Sequence, residues 1–171
     1  HDLKDGADIQ LSKDGSEADR YQPPFLWSPD SKHVGLMKRR DVKVREVHYV
    51  DSAPKDQLQP KHFTRSYGKP GDPMPTQTVH VFLAGWNSRH FTADPALVKD
   101  PFSTRRPAWR PDSSGFLFEH IERGFVAHRL IEIQIPSGKT RALIDETAET
   151  FVNVFQKGYR KDLDGFSEII W

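Results

Sequence analysis

Trp27-Ser28-Pro29-Asp30-Ser31-Lys32 recurs as Trp109-Arg110-Pro111-Asp112-Ser113-Ser114, 82 residues further along the chain. Each copy has the chemistry of a hairpin corner. Proline pre-sets φ at the first turn position, and Asp and Ser tolerate the tight backbone and bond it locally. The Trp before the corner is a large apolar group suited to filling the space between packed sheets. Alternating hydrophobic residues follow both times, Val34 and Leu36 in one place, Phe116 and Phe118 in the other. That period of two is the mark of a half-buried strand. Two chance matches in an ordinary β protein are the alternative, but turn, Trp and alternation agree at both places. A propeller blade takes roughly 40–45 residues, so the spacing predicts corners about two blades apart.

The chain is long enough, at 171 residues, for one good core or two small ones. Its 11 Phe, 4 Trp and 4 Tyr argue against disorder, because disordered segments are poor in aromatics. Twenty-five Lys and Arg against 24 Asp and Glu leave a net charge of +1, so no global field draws nucleic acid or an anionic membrane. No apolar run approaches the roughly 20 residues that cross a bilayer, and no signal-peptide pattern is present. With no cysteine, disulfides and thiolate chemistry are excluded. The opening His1-Asp2-Leu3-Lys4 looks like a cut within a longer protein.

Along the chain, Ile9 and Leu11 lead into an Asp14-Gly15 turn, and Tyr21–Trp27 reads as a strand whose Pro23-Pro24 confines its start to an edge or an irregular entry. A strand near His33–Lys38 and an alternating run from Val42 to Tyr49 follow. Residues 51–76 hold five prolines and read as an irregular excursion, with a short strand inside it at His62–Tyr67. Val79–Leu83 is the next strand, turning at Gly85-Trp86-Asn87-Ser88 and returning at Arg89–Thr92. Ala93–Pro107 reads as loop with a short helical turn near Ala96–Lys99. Then come strands at Phe116–Ile121 and Phe125–Ile135, with Ile131, Ile133 and Ile135 on one face and Glu132 and Gln134 on the other. Pro136-Ser137-Gly138-Lys139 closes a hairpin onto Thr140–Ile144. Thr150–Phe155, Tyr159–Leu163 and Ser167–Trp171 complete the pattern, the last two joined by Asp164-Gly165. No sustained 3.6-residue apolar period occurs, which makes the chain all-β, built of short antiparallel strands.

The chemical motifs are sparse. No Gly-x-Ser-x-Gly elbow and no His-Glu-x-x-His is present. Ser137-Gly138-Lys139-Thr140 ends like a phosphate loop, but it lies between two strands with Ile133 where the first Gly would stand, and reads as a hairpin corner. The eight histidines are scattered and read as solvated or locally bonded surface groups rather than metal ligands. Glu119 and Glu122 could be a facing carboxylate pair, but read as an ordinary polar strand end. Lys38-Arg39-Arg40 and Arg105-Arg106 could hold a peptide carboxylate, yet read as solvated strand ends. Aromatics are not interleaved with these cations, which disfavours stacking on single-stranded nucleic acid.

Taken in order, these segments resemble the N-terminal β-propeller of the dipeptidyl peptidase IV branch of the prolyl oligopeptidase superfamily. The resemblance rests on Leu11-Ser12-Lys13-Asp14-Gly15-Ser16-Glu17, the first Trp corner, Tyr67-Gly68-Lys69-Pro70-Gly71-Asp72, the second Trp corner, Arg129-Leu130-Ile131-Glu132-Ile133 and Gly165-Phe166-Ser167-Glu168-Ile169-Ile170-Trp171. It covers essentially residues 1–171. Phe82-Leu83-Ala84-Gly85-Trp86 departs from it, where relatives carry an Asp-containing strand end and a Thr-Gly turn.

The resemblance implies a fold, a partial β-propeller, and a parent protein, a serine exopeptidase that removes N-terminal X-Pro or X-Ala dipeptides. Its α/β-hydrolase domain would lie outside this chain. The propeller would gate access and help position peptide substrates. Neither a catalytic triad nor the family's Glu-Glu segment has a counterpart among these residues, so no catalytic, cofactor or metal residue is named and the substrate-binding positions are left open. No cofactor is implied. Expected partners are peptide substrates, the protein's own hydrolase domain and further copies of itself, without nucleic acid or a membrane span. A periplasmic or secreted location follows from the resemblance. The reading from another class is a non-enzymatic TolB- or WD40-like propeller serving as a protein-interaction platform, and a relative of prolyl oligopeptidase or acylaminoacyl peptidase is a third.

Overall fold

A computed structural model describes residues 8, 10–84, 90–154, 158–162 and 165–170. Two compact units partition the chain, His1–Arg40 with Thr76–Trp171 as one and Asp41–Pro75 as the other. The strands in chain order are β1 (Asp19–Trp27), β2 (His33–Arg40), β3 (Glu46–Asp51), β4 (Lys61–Ser66), β5 (Thr76–Leu83) and β6 (His90–Thr92). They continue with β7 (Pro101–Trp109), β8 (Gly115–Glu122), β9 (Ala127–Gln134), β10 (Thr140–Thr147), β11 (Gly158–Asp162) and β12 (Gly165–Ile170). Among the described residues the helical content is a single 3-10 turn at Arg123–Phe125.

The larger unit contains two four-stranded antiparallel sheets, ordered β1-β2-β5-β6 and β10-β9-β8-β7. Both are meanders in chain order, the plan of a propeller blade. The first differs because the 41–75 unit interrupts the sequence between its second and third strands. Backbone pairing also joins β11 to β12.

The smaller unit is a hairpin, β3 paired with β4, with Tyr49 opposite Phe63 and Val50 opposite His62. The excursion expected at residues 51–76 thus holds one full strand, β4, close to the short strand expected at His62–Tyr67, whereas the strand expected from Val42 starts only at Glu46 as β3. Arg45 and Asp72 close its base with an ion pair at 2.9 Å. Tyr49, Val50, Leu58, Phe63 and Tyr67 are all exposed on this unit.

Strand alternation decides where the core sits. One face of the first sheet presents Leu26, Val79, Val81 and Phe91, and one face of the second presents Trp109, Phe116, Phe118, Ile131 and Ile133; together with Ala93 these form a single apolar cluster. Each of the large fully buried members contributes about 1.5–3 kcal/mol by leaving water. Gly35 makes the closest approach possible, because a Cβ there would run into the Phe116 ring. The opposite face of the first sheet carries a separate cluster of Val34, Leu36 and Phe82, with Leu11 and Tyr21 packed on it.

Two segments in the second half of the chain depart from the pattern expected of them. The loop predicted over Ala93–Pro107 contains the start of β7, which runs Pro101–Trp109. Pro101 and Pro107 are tolerated because β7 is a sheet edge and its register slips between Arg105 and Ala108. The strand predicted at Thr150–Phe155 is irregular over residues 151–154, where Val152 and Val154 are buried against Ile121 instead of pairing. Pro23-Pro24 conforms to expectation, lying on edge strand β1 within a register irregularity between Gln22 and Leu26. The turn predicted at Gly85-Trp86-Asn87-Ser88, together with Ile9, Arg89, Phe155, Leu163, Asp164 and Trp171, lies outside the described residues.

Candidate functional site

The two Trp corners are the same structure built twice. Trp27 closes β1 opposite Val34, and Trp109 closes β7 opposite Phe116. Ser28 N–H donates to the His33 carbonyl at 2.8 Å and Arg110 N–H to the Gly115 carbonyl at 2.9 Å. Ser31 N–H donates to the Ser28 carbonyl and Ser113 N–H to the Arg110 carbonyl. Ser31 and Ser113 both take left-handed backbone, with φ of 59° and 62°. The aspartates do equivalent work in each corner. Asp30 accepts from the Ser28 hydroxyl at 2.6 Å and from Lys32 N–H, and Asp112 accepts from the Ser114 hydroxyl at 2.6 Å and from Ser114 N–H. These hydrogen bonds to the charged form, from Ser28 and from Ser114 respectively, hold both carboxyls below the usual range.

The corners also join the sheets. Trp109 Nε1–H donates to the Leu26 carbonyl at 2.7 Å, while Asp30 N–H donates to Ser113 Oγ at 3.1 Å. Trp109 packs edge-on to Phe116 and is only 7% exposed. Trp27, its counterpart, is 57% exposed. The burial expected of both Trp residues thus holds for one alone. Trp27 stands on the first sheet's other face and borders a concavity of about 460 Å³ lined by Tyr21, Phe25, Val34, Leu36 and Phe82. Trp109's face is covered by the first sheet, whereas among the described residues Trp27's face carries Tyr21 and the segment around Leu11 and no second sheet.

The second sheet carries buried charge that sequence reasoning placed at the surface. Glu119 is fully buried and accepts from Arg105 Nε at 2.7 Å, Arg106 Nη1 at 2.6 Å and His128 Nε2 at 3.3 Å. Burial alone would raise its pKa, but His128, Arg105 and Arg106 together outweigh that and lower it. Arg106 takes left-handed backbone at φ 53° inside the β7 irregularity, which turns its side chain to the same carboxylate as Arg105. Glu122 does not join Glu119; it pairs with Arg129, which also binds Asp145 at 2.7 Å. Glu132 is buried between Arg110 and Arg141. In the first sheet Lys38 reaches Asp14 at 2.7 Å and Arg40 reaches Asp19 at 2.9 Å. Of the cations seen in the sequence, Lys38, Arg40, Arg105 and Arg106 are therefore tied to carboxylates of this chain.

The histidines also depart from the surface expectation, since His33, His80, His120 and His128 are buried. His80 stacks with Phe82 and His90, meets Tyr21 edge-on, and lies 3.0 Å from Thr78 Oγ1. Its burial, with smaller repulsion from His90 and Lys38, lowers its pKa to about 4. Strand alternation alone puts His80 on the same face as Phe82, but only the β5–β6 pairing brings His90 beside them. Among the described residues no group of three or more His, Asp or Glu side chains is placed to hold a metal ion. Ser137-Gly138-Lys139 is the hairpin corner expected, with Gly138 at φ 74° and its N–H on the Gln134 carbonyl.

Two successive four-stranded meanders, the second seated on the first by a Trp at a repeated corner, define an arc of a β-propeller. Residues 22–170 match the family described as dipeptidyl peptidase IV (DPP IV) N-terminal region, and the chain belongs to that family. Among solved structures it is similar to dipeptidyl peptidase 4 of Porphyromonas gingivalis, with 14% identity and a TM-score of 0.57, covering 84% of this chain and 22% of that one. It is similar also to a Bacteroides ovatus protein assigned as a dipeptidyl aminopeptidase IV, with 13% identity and a TM-score of 0.58, covering 83% of this chain and 21% of that one. The chain thus spans about a fifth of the length of either protein. No curated protein matches it. No helix among the described residues is long and apolar enough to cross a membrane.

Proposed function

We infer that residues 1–171 form part of the N-terminal propeller of a serine exopeptidase that removes X-Pro or X-Ala dipeptides from peptide amino termini. The observation that carries this reading is the family match over residues 22–170, joined to two blade-like sheets in tandem. The chain's own contribution is structural. It forms part of the wall that gates access to a separate α/β-hydrolase domain and helps position peptide substrate, while the serine nucleophile and its base reside in that domain. The open Trp27 face supports continuation of the ring, because the equivalent Trp109 face is sealed by a neighbouring sheet.

Peptide substrates, the hydrolase domain and further copies of the protein are the partners of this reading, and periplasm or the exterior its location. Association of copies draws support from the exposed Tyr49, Val50, Leu58, Phe63 and Tyr67 of the smaller unit.

The test is hydrolysis of Gly-Pro and Ala-Pro chromogenic amides by the complete protein, with and without a fluorophosphonate. Fluorophosphonate-sensitive release of the chromophore, with none from the 171-residue chain alone, is expected. A complete protein that releases none is the non-enzymatic propeller platform instead.

A further inference from the structure

The β3–β4 hairpin sets two imidazoles side by side. His48 stands opposite Thr64 and His62 opposite Val50, so the two histidines are diagonal neighbours on one face of a two-stranded sheet. Their rings stack with centroids 5.2 Å apart and planes 17° from parallel. His48 Nδ1 and His62 Nε2 are 3.0 Å apart, and both residues are exposed. At that distance one ring nitrogen donates its proton to the other, so both tautomers are coupled through one hydrogen bond.

We propose that His48 and His62 form a two-nitrogen site for a divalent transition-metal ion, with copper(II) preferred. Imidazole nitrogens bind such ions at about 2.0–2.1 Å. Two bonds of that length to atoms 3.0 Å apart enclose an angle of about 91–97°, closer to the cis angle of tetragonal copper(II) or nickel(II) than to the wider tetrahedral angle of zinc. The Irving–Williams order favours copper further. Binding exchanges the shared hydrogen bond for two coordinate bonds. Each neutral ring keeps its single N–H on the outward nitrogen, His48 Nε2 and His62 Nδ1, so no proton is released. Glu46, two residues before His48 on the same strand, lies on the same face and adds a negative charge there. With no third protein ligand grouped with them among the described residues, water completes the coordination. A metal here would staple β3 to β4 in a hairpin that has only two strands, the arrangement with least stability of its own.

The experiment titrates the metal-free 171-residue chain with copper(II) chloride, and separately with zinc chloride, in a non-chelating buffer at pH 7.5. His1→Ala serves as the background, because an amino-terminal histidine binds copper by itself. One copper per chain with two equivalent nitrogens in its electron-paramagnetic-resonance spectrum is expected, and zinc at least tenfold weaker. His48→Gln and His62→Gln should each weaken copper at least tenfold with the far-ultraviolet circular dichroism unchanged. Copper should also slow amide hydrogen exchange over residues 46–51 and 61–66 in the parent, a readout independent of whether the variants fold. Undiminished copper affinity in either folded variant, or unchanged exchange in the parent, overturns the site.

Discussion

The Trp109 indole N–H donates to the backbone carbonyl of Leu26 across 2.7 Å, tying the last residue of one sheet's edge strand to the penultimate residue of the other's. The bond is made within a cluster of apolar side chains, so losing it strands a carbonyl that water reaches poorly. Trp109→Phe keeps an aromatic ring and removes the donor. It should lower unfolding free energy by about 1–3 kcal/mol, read by urea denaturation. An unchanged midpoint would mean that the bond contributes nothing to the seating of the sheets.

Gly35 is required by contact rather than by backbone conformation, since its Cβ would occupy the space of the Phe116 ring. Gly35→Ala should therefore cost about 1–3 kcal/mol as overpacking. Phe116→Leu in the same chain should recover part of that loss. A double variant as unstable as the sum of the two singles would contradict direct contact between these positions.

His80 makes stability depend on acid. Burial lowers its pKa to about 4, against 6.5 for the ordinary group. Between those values the unfolded chain binds the proton and the folded one does not. Stability is thus fully present above pH 6.5 and falls as pH drops toward 4, by about 3 kcal/mol in all. His33 and His120, also lowered by burial, act in the same direction. Denaturation at pH 7.5, 6 and 4.5 should show a shallower fall for His80→Gln than for the parent. Parallel curves would exclude His80 as a source.

Glu119 carries the charge balance of three cationic or ionisable neighbours. Glu119→Gln removes the carboxylate and leaves Arg105 and Arg106 turned toward a neutral group. The expected cost is about 3 kcal/mol, the lower end for a broken buried pair because both arginines retain some exposure to water. Raised salt should not restore it, since screening acts on exposed charges. Recovery in 0.5–1 M salt, well above the ionic strength at which surface pairs fade, would reassign the network to the surface.

The Trp corners were legible because each residue's role is local. Proline, Asp and Ser set the turn within six positions, and the apolar alternation after them belongs to one strand. The all-β class followed from the same local rules. Buried charge was not legible, because Glu119 and Arg105 are joined by the β7–β8 register and nothing in the local sequence fixes that register. The slip between Arg105 and Ala108 compounds this, since it alters which side of the strand Arg106 occupies. The irregular course of residues 151–154 was missed for a related reason. Val152 and Val154 alternate as a strand would, but their burial is against Ile121 rather than in a ladder.

On the proposed reading, Trp27 in the complete protein seats the first sheet on a further one, as Trp109 seats the second sheet on the first. Trp27→Ala should therefore be nearly silent in the 171-residue chain, about 1 kcal/mol or less, because the side chain is already exposed. In the complete protein the same substitution should cost about 3–5 kcal/mol, as for a buried aromatic. The measurement is the unfolding free energy of both proteins with and without the substitution. A large loss only in the complete protein is the predicted result; an equally small loss in both would contradict the claim that a further sheet covers Trp27.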